Sequence, residues 1–83
     1  MYTVYALYRS GFDKIYIGFT SNLENRLFAH NHQSNKGWTK KFQPWELIYK
    51  ELFELKPNAI IREKQLKSAK GREFIRTQIP KSE

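Results

Sequence analysis

Two β-rich runs separated by four turn-forming residues constrain this chain most. Residues 2–9, YTVYALYR, and 14–20, KIYIGFT, are rich in β-branched and aromatic side chains, and Ser10-Gly11-Phe12-Asp13 lies between them. The pattern predicts a β-hairpin. Side chains alternate faces along a strand, so the apolar set Ile15, Ile17 and Phe19 pairs naturally with Val4, Ala6 and Tyr8. That match sends Tyr5 and Tyr16 together to the opposite face, beside Leu7, Lys14 and Gly18. A two- or four-residue loop gives this parity; a three-residue loop without a bulge does not.

Thr20-Ser21-Asn22-Leu23-Glu24 then reads as a helix start, with Ser21 and Glu24 as a capping box. The helix runs to about Asn31, with Leu23 and Leu27 as its core stripe and Phe28 alongside. Arg26 and His30, four apart, share a face bordering that stripe, and neither is forced into the core. Residues 32–44, HQSNKGWTKKFQP, are polar and basic with Gly37 and Pro44, and read as a loop. Residues 45–53, WELIYKELF, alternate as a third strand with Trp45, Leu47, Tyr49 and Phe53 on one side. Pro57 suits the first turn of a second helix running to about Lys70. Gly71 suits a C-terminal stop, and residues 72–79 a short last helix. The order ββαβαα predicts an α+β fold: a three-stranded antiparallel sheet flanked by helices. A chain of 83 residues is read as a single domain, 1–83. Its core is thin, and 13 aromatic residues supply much of the apolar area.

The formal charge is +7 and the pI about 9.8. Residues 1–35 contribute +1 and residues 36–83 contribute +6. Such a field attracts polyanions, nucleic acid first among them. Lys14, Lys36, Lys40, Lys41, Lys67, Lys70 and Arg72 are the candidates for phosphate contacts, which give affinity and salt dependence but no sequence information. A solvated charged face is the plainer reading of some of them. Trp38 and Phe42 interleave with lysines, an arrangement that suits an unstacked base; Trp38 pinning the loop to the core is equally open. There is no cysteine, which excludes disulfides, thiolate metal sites and cysteine nucleophiles. That fits a reducing cytoplasm. No run approaches the ~18 apolar residues of a membrane span, and the N-terminus does not read as a signal peptide. A cytoplasmic location and no membrane partner are expected.

Glu63 is the anomaly of the second helix. Ala59, Ile60 and Leu66 set the apolar stripe, and Glu63 falls on it. A lone buried charge is costly. Glu63 either pairs with Arg62, Lys64 or Lys67, or sits at the floor of a cleft to bind a divalent cation. Mg²⁺ is commonly held by one or two carboxylates with waters and substrate phosphate. His30 and His32 are the only histidines, and no spacing makes a two-histidine zinc site. No glycine-rich phosphate loop, Gly-x-Ser-x-Gly turn or glycosidase carboxylate pair is present.

Taken in order, Tyr5, Tyr16-Ile17-Gly18, Arg26, His30 and Glu63 make the chain resemble the GIY-YIG nuclease domain along nearly its whole length. The first motif is degenerate, Thr3-Val4-Tyr5, and keeps only its tyrosine; the second is intact. Arg26, ten residues beyond Tyr16, falls where the family arginine lies on the first helix. His30 falls where many members place a histidine, and Glu63 on the helix that supplies the family's metal-binding glutamate. YIGFTSNLENRLFAHN and WTKKFQPWELIYKE look most like small stand-alone bacterial members and the catalytic subunits of eukaryotic junction-resolving nucleases. The homing-endonuclease and excision-repair branches carry an asparagine near the domain's C-terminus; none follows Asn58 here.

The resemblance implies a metal-dependent endonuclease acting on phosphodiester bonds in DNA, structure-directed and of the repair or recombination type. It implies Mg²⁺ or Mn²⁺ on Glu63, and Arg26 neutralising charge on the phosphate. Tyr5 would be the general base, given cationic neighbours to lower a phenol pKa near 10. Tyr16 would orient water or phosphate, and His30 would relay a proton or contact phosphate. Tyr49 and Lys14 are secondary candidates. A monomer is expected. Two other readings stand beside it: a nucleic-acid-binding module without turnover, and a catalytic core that needs a protein partner for targeting. An exposed cluster of Trp38, Phe42 and Trp45 would favour the second of these.

Overall fold

The four-residue turn sets the sheet. In the computed structural model, which describes residues 1–31 and 44–79, β1 (Tyr2–Arg9) and β2 (Lys14–Thr20) are joined by a single 3₁₀ turn at Ser10–Phe12. Asp13 closes it in the left-handed region at φ 48°, a conformation that a short polar side chain tolerates. The register places Ala6 opposite Ile17, Tyr5 opposite Gly18 and Leu7 opposite Tyr16. The expected parity holds, and Tyr5 and Tyr16 share one face.

The remaining elements are α1 (Leu23–Asn31), β3 (Glu46–Phe53), α2 (Lys56–Lys67) and α3 (Ala69–Arg76). The sheet is antiparallel with order β2-β1-β3. This is the expected α+β fold in the order ββαβαα. Because β1 is central, its residues 3–7 are all buried, and it feeds a cluster on each face. Val4 and Ala6 pack with Ile15, Ile17, Ala59, Leu66 and Ile75 beneath α2 and α3. Tyr5 and Leu7 pack with Trp45, Tyr16, Leu23, Leu27 and Leu47 beneath α1. Helices therefore cover both faces.

The third strand departs from the alternation expected of it. Ala6 pairs with Tyr49 but Leu7 pairs with Leu47, so Ile48 is an extra residue in β3. A one-residue bulge reverses which side chains face which layer. Trp45 and Leu47 consequently join Tyr5 under α1, whereas Tyr49 and Phe53 pack under α2 and α3.

The helix ends also differ from expectation. Asn22, not Ser21, caps α1: its Oδ1 accepts the Asn25 N–H at 3.1 Å, which puts Glu24 one position too early for a capping box. Phe28 is 67% exposed, because the α1 stripe narrows to Leu23, Leu27 and His30. Pro57 sits in the first turn of α2, as expected. Ser68, not Gly71, ends that helix and starts the next: its Oγ donates to Gln65 O and accepts from the Gly71 N–H. Gly71 lies inside α3, where a Cβ would collide with the backbone of Gln65 and Leu66. The missing side chain lets α3 fold back against α2. Asp13 anchors the far end of α3 to the hairpin turn, accepting from Arg76 at 3.0 Å and from Tyr8 Oη at 3.3 Å.

Candidate active site

Tyr5 is fully buried, and its hydroxyl lies 3.0 Å from His30 Nε2. Strand parity delivers the tyrosine, and the last turn of α1 delivers the histidine. A Cβ on Gly18 would stand 2.9 Å from Tyr5 Oη and 3.1 Å from the Tyr16 ring. The glycine of Tyr16-Ile17-Gly18 thus leaves room for the Tyr5 hydroxyl to lie directly over β2. The Tyr16 and His30 rings are 4.5 Å apart between centroids and the Tyr5 and Tyr16 rings 6.2 Å. Arg26, one turn before His30 and exposed, lies near enough to Tyr5 for its charge to act on the hydroxyl.

Sequence reasoning left His30 outside the core, but it is buried, with 6% of its surface exposed. Burial and protonation oppose each other. Burial, followed by the Arg26 charge, lowers the His30 pKa below its ordinary value, so the imidazole is neutral at neutral pH. Tyr5 moves opposite to expectation. Burial pushes it up to about 12; Arg26 pulls it down, and the neighbouring Tyr16 raises it further. The cationic neighbour does not offset the loss of water, so the resting phenol keeps its proton. In the Nδ1-protonated tautomer of His30, the Tyr5 hydroxyl donates to Nε2.

Trp45, the residue before β3, closes this cluster. Its ring meets Tyr16 edge-on at 6.3 Å, and it is 5% exposed. Sequence reasoning placed it on the Tyr49 face, because the β3 bulge leaves no mark in the alternation. Its burial means that it does not supply the exposed aromatic cluster that would have favoured a partner-dependent core. Tyr49 belongs elsewhere: its hydroxyl donates to Glu51 at 2.7 Å, and Glu51 also holds Arg62 at 3.0 Å. It does not join Tyr5.

Glu63 is drawn inward as expected, with its side chain 16% exposed, and it pairs with Lys67 at 3.5 Å. The ion-pair expectation holds for Lys67. α2 packs on the sheet face opposite α1. Among the described residues no three His, Asp or Glu side chains gather around one point, so a metal caged by protein ligands does not fit. A Mg²⁺ or Mn²⁺ held by one carboxylate, with waters and phosphate oxygens completing the shell, fits the shielded Glu63.

The basic candidates divide. Lys14 is exposed at the hairpin end, on the strand face that carries Tyr16. Lys67, Lys70 and Arg72 are exposed on α2 and α3, with Arg72 Nε also donating to Lys67 O. Those helices lie on the other side of the sheet from α1. Lys36, Trp38, Lys40 and Lys41 fall outside the described residues, as do His32 and Phe42. No described helix is long and apolar enough to cross a membrane.

Residues 1–76 match the family model described as the GIY-YIG catalytic domain. Curated relatives include UPF0213 proteins of Staphylococcus saprophyticus (33% identical), Staphylococcus haemolyticus (36%) and Clostridium perfringens (40%). The matches cover 65%, 68% and 66% of this chain and 66%, 68% and 59% of the respective relatives. The chain therefore spans about two thirds or less of the length of these relatives. No solved structure matches it significantly. The tyrosine pair over Gly18 and the α1 residues turned toward it lie wholly within the matched span, and the chain belongs to the GIY-YIG catalytic-domain family, a nuclease family.

Proposed function

We propose that this protein is a metal-dependent endonuclease that hydrolyses phosphodiester bonds in DNA. Its recognition is structure-directed, of the repair or recombination type, and it works as a single-domain monomer in the cytoplasm. The observation that carries the reading is the Tyr5–His30 pair at 3.0 Å, a buried phenol–imidazole contact whose charge balance Arg26, a cation suited to phosphate, influences. The departure from the family's first motif falls at Thr3 and Val4, both buried in the sheet, and leaves Tyr5 in place.

In this reading the roles follow from which site is unprotonated at rest. Neutral His30 accepts the Tyr5 proton at Nε2 as the Tyr5 oxygen takes a proton from the attacking water. His30 is the ultimate base and Tyr5 the conduit, since a phenol near 12 is a poor base until a partner drains it. Arg26 neutralises charge that develops on the phosphate oxygens. Tyr16 packs against His30 and fixes its ring plane. Glu63 would hold the divalent ion, which when bound supplies Lewis-acid stabilisation of the phosphate and the leaving oxygen. Lys14 and the lysines of α2 and α3 supply sequence-independent phosphate attraction.

The test is cleavage of branched and single-stranded DNA by wild type and Glu63→Ala, with Mg²⁺, Mn²⁺ or EDTA. Cutting that requires metal and disappears in the variant, with binding retained, is expected. Salt-sensitive binding without cutting by wild type overturns the enzyme reading in favour of a binding module, unless a partner protein restores turnover.

A further inference from the structure

Asn31 is an exposed residue at the end of α1, yet its side-chain amide makes two hydrogen bonds to the backbone of one distant residue. The Trp45 N–H donates to Asn31 Oδ1 at 2.6 Å, and Asn31 Nδ2 donates to Trp45 O at 3.2 Å. A backbone N–H can only donate and a carbonyl only accept, so this geometry requires one donor and one acceptor on a short side chain. Asparagine meets that requirement. Aspartate lacks the donor, and glutamine carries its amide one methylene too far.

The clasp closes a ring of contacts around His30. Asn31 follows His30 directly, and its amide holds the Trp45 backbone. The Trp45 ring lies against Tyr16 at 6.3 Å, and Tyr16 lies against His30 at 4.5 Å. The α1 turn carrying His30 is thereby tied to the residue that leads into β3. Terminal turns of helices otherwise fray, and Leu23 and Leu27, the apolar anchors of α1, lie at its start and its midpoint.

We infer that Asn31 is a positioning residue: its two-bond clasp on Trp45 holds the last turn of α1 so that His30 Nε2 meets the Tyr5 hydroxyl. This rests on the proposed nuclease reading for its catalytic consequence, but the positioning itself is observable without turnover. The substitutions are Asn31→Ala, which removes both bonds, and Asn31→Asp, which keeps the acceptor for the Trp45 N–H.

The first readout is the His30 ring in ¹⁵N-labelled protein by NMR. Wild type is expected to show one fixed tautomer. In Asn31→Ala the ring signals should move toward tautomer-averaged values while the backbone spectrum away from α1 is unchanged, and Asn31→Asp should fall between. The second readout is steady-state cleavage: kcat should fall on the order of 10²-fold with KM unchanged, the pattern of a misplaced catalytic group. Unchanged His30 ring signals in Asn31→Ala overturn the inference, whatever the activity. Altered ring signals with no cleavage by wild type uphold the positioning and defeat only the nuclease reading. If Asn31→Ala does not fold, Asn31→Asp alone decides, and wild-type ring signals together with wild-type kcat overturn the inference.

Discussion

Tyr5 and His30, 25 residues apart in sequence, meet at 3.0 Å in the interior with their proton affinities displaced in opposite directions. Burial favours the neutral form of each. The pair therefore rests as phenol and imidazole, hydrogen-bonded to each other with the proton on the oxygen.

The alkaline side of stability follows from Tyr5. Its folded pKa, about 12, lies above the ordinary 10, so the unfolded chain releases the proton first. The stabilisation is fully present below pH 10 and is lost as pH rises toward about 12. Denaturant unfolding across that window should show a decline that Tyr5→Phe reduces. An identical decline in both proteins would contradict the assignment.

The acid limb follows from His30. With a folded pKa below the ordinary value, protonation favours the unfolded chain. Its contribution is full above the unfolded pKa and is lost as pH falls through the folded one. Cleavage should rise over the same interval, as neutral His30 becomes available, on a limb lying below about pH 6.5. His30→Gln should flatten this limb and lower kcat by about 10²- to 10⁴-fold. A limb unchanged in the variant assigns the titration to another group.

Gly18→Ala should separate folding from chemistry. The new Cβ would stand 2.9 Å from Tyr5 Oη, and the buried phenol must shift to relieve it. The expected outcome is a protein that melts within a few degrees of wild type but cuts DNA far more slowly. Crystallography or NMR would show the Tyr5–His30 contact opened. Wild-type activity in Gly18→Ala would mean that the contact is dispensable.

Gly71→Ala should do the reverse. Its Cβ would strike the backbone of Gln65 and Leu66, which cannot rotate away as a side chain can. Separating α3 from α2 loosens Leu66 and Ile75, both essentially buried. A loss of about 1–3 kcal/mol is expected from such overpacking, measured by thermal or urea unfolding. A Tm equal to wild type would show that the α2–α3 junction yields without cost.

Arg26→Lys keeps the charge but loses the planar fork that can engage two phosphate oxygens. A fall in kcat of about 10²- to 10³-fold is expected, with little change in stability because the residue is exposed. Full activity in the lysine variant would reduce the role of Arg26 to charge alone.

The sequence by itself determined the hairpin and much of the site that depends on it. Period-two alternation and a four-residue turn leave one register that buries Val4, Ala6, Ile15 and Ile17, and that register puts Tyr5 and Tyr16 on one face. Helical spacing put Arg26 and His30 on one face of α1, and the family resemblance, not the spacing, gave them a place in the site. The intrusion of Glu63 into an apolar stripe was legible from the same periodicity, whereas the burial of His30 was not. Only the tertiary structure decided the rest. The bulge at Ile48 is set by how β3 meets β1, and it moved Trp45 to the Tyr5 face against the apparent alternation. Gly71, readable as a stop, serves a close approach between helices that no local pattern encodes. The direction of the Tyr5 shift depended on a balance between lost water and a nearby guanidinium. Spacing along the chain can place a cation near a phenol, but how much solvent remains around them is fixed only when all the packed elements are in place.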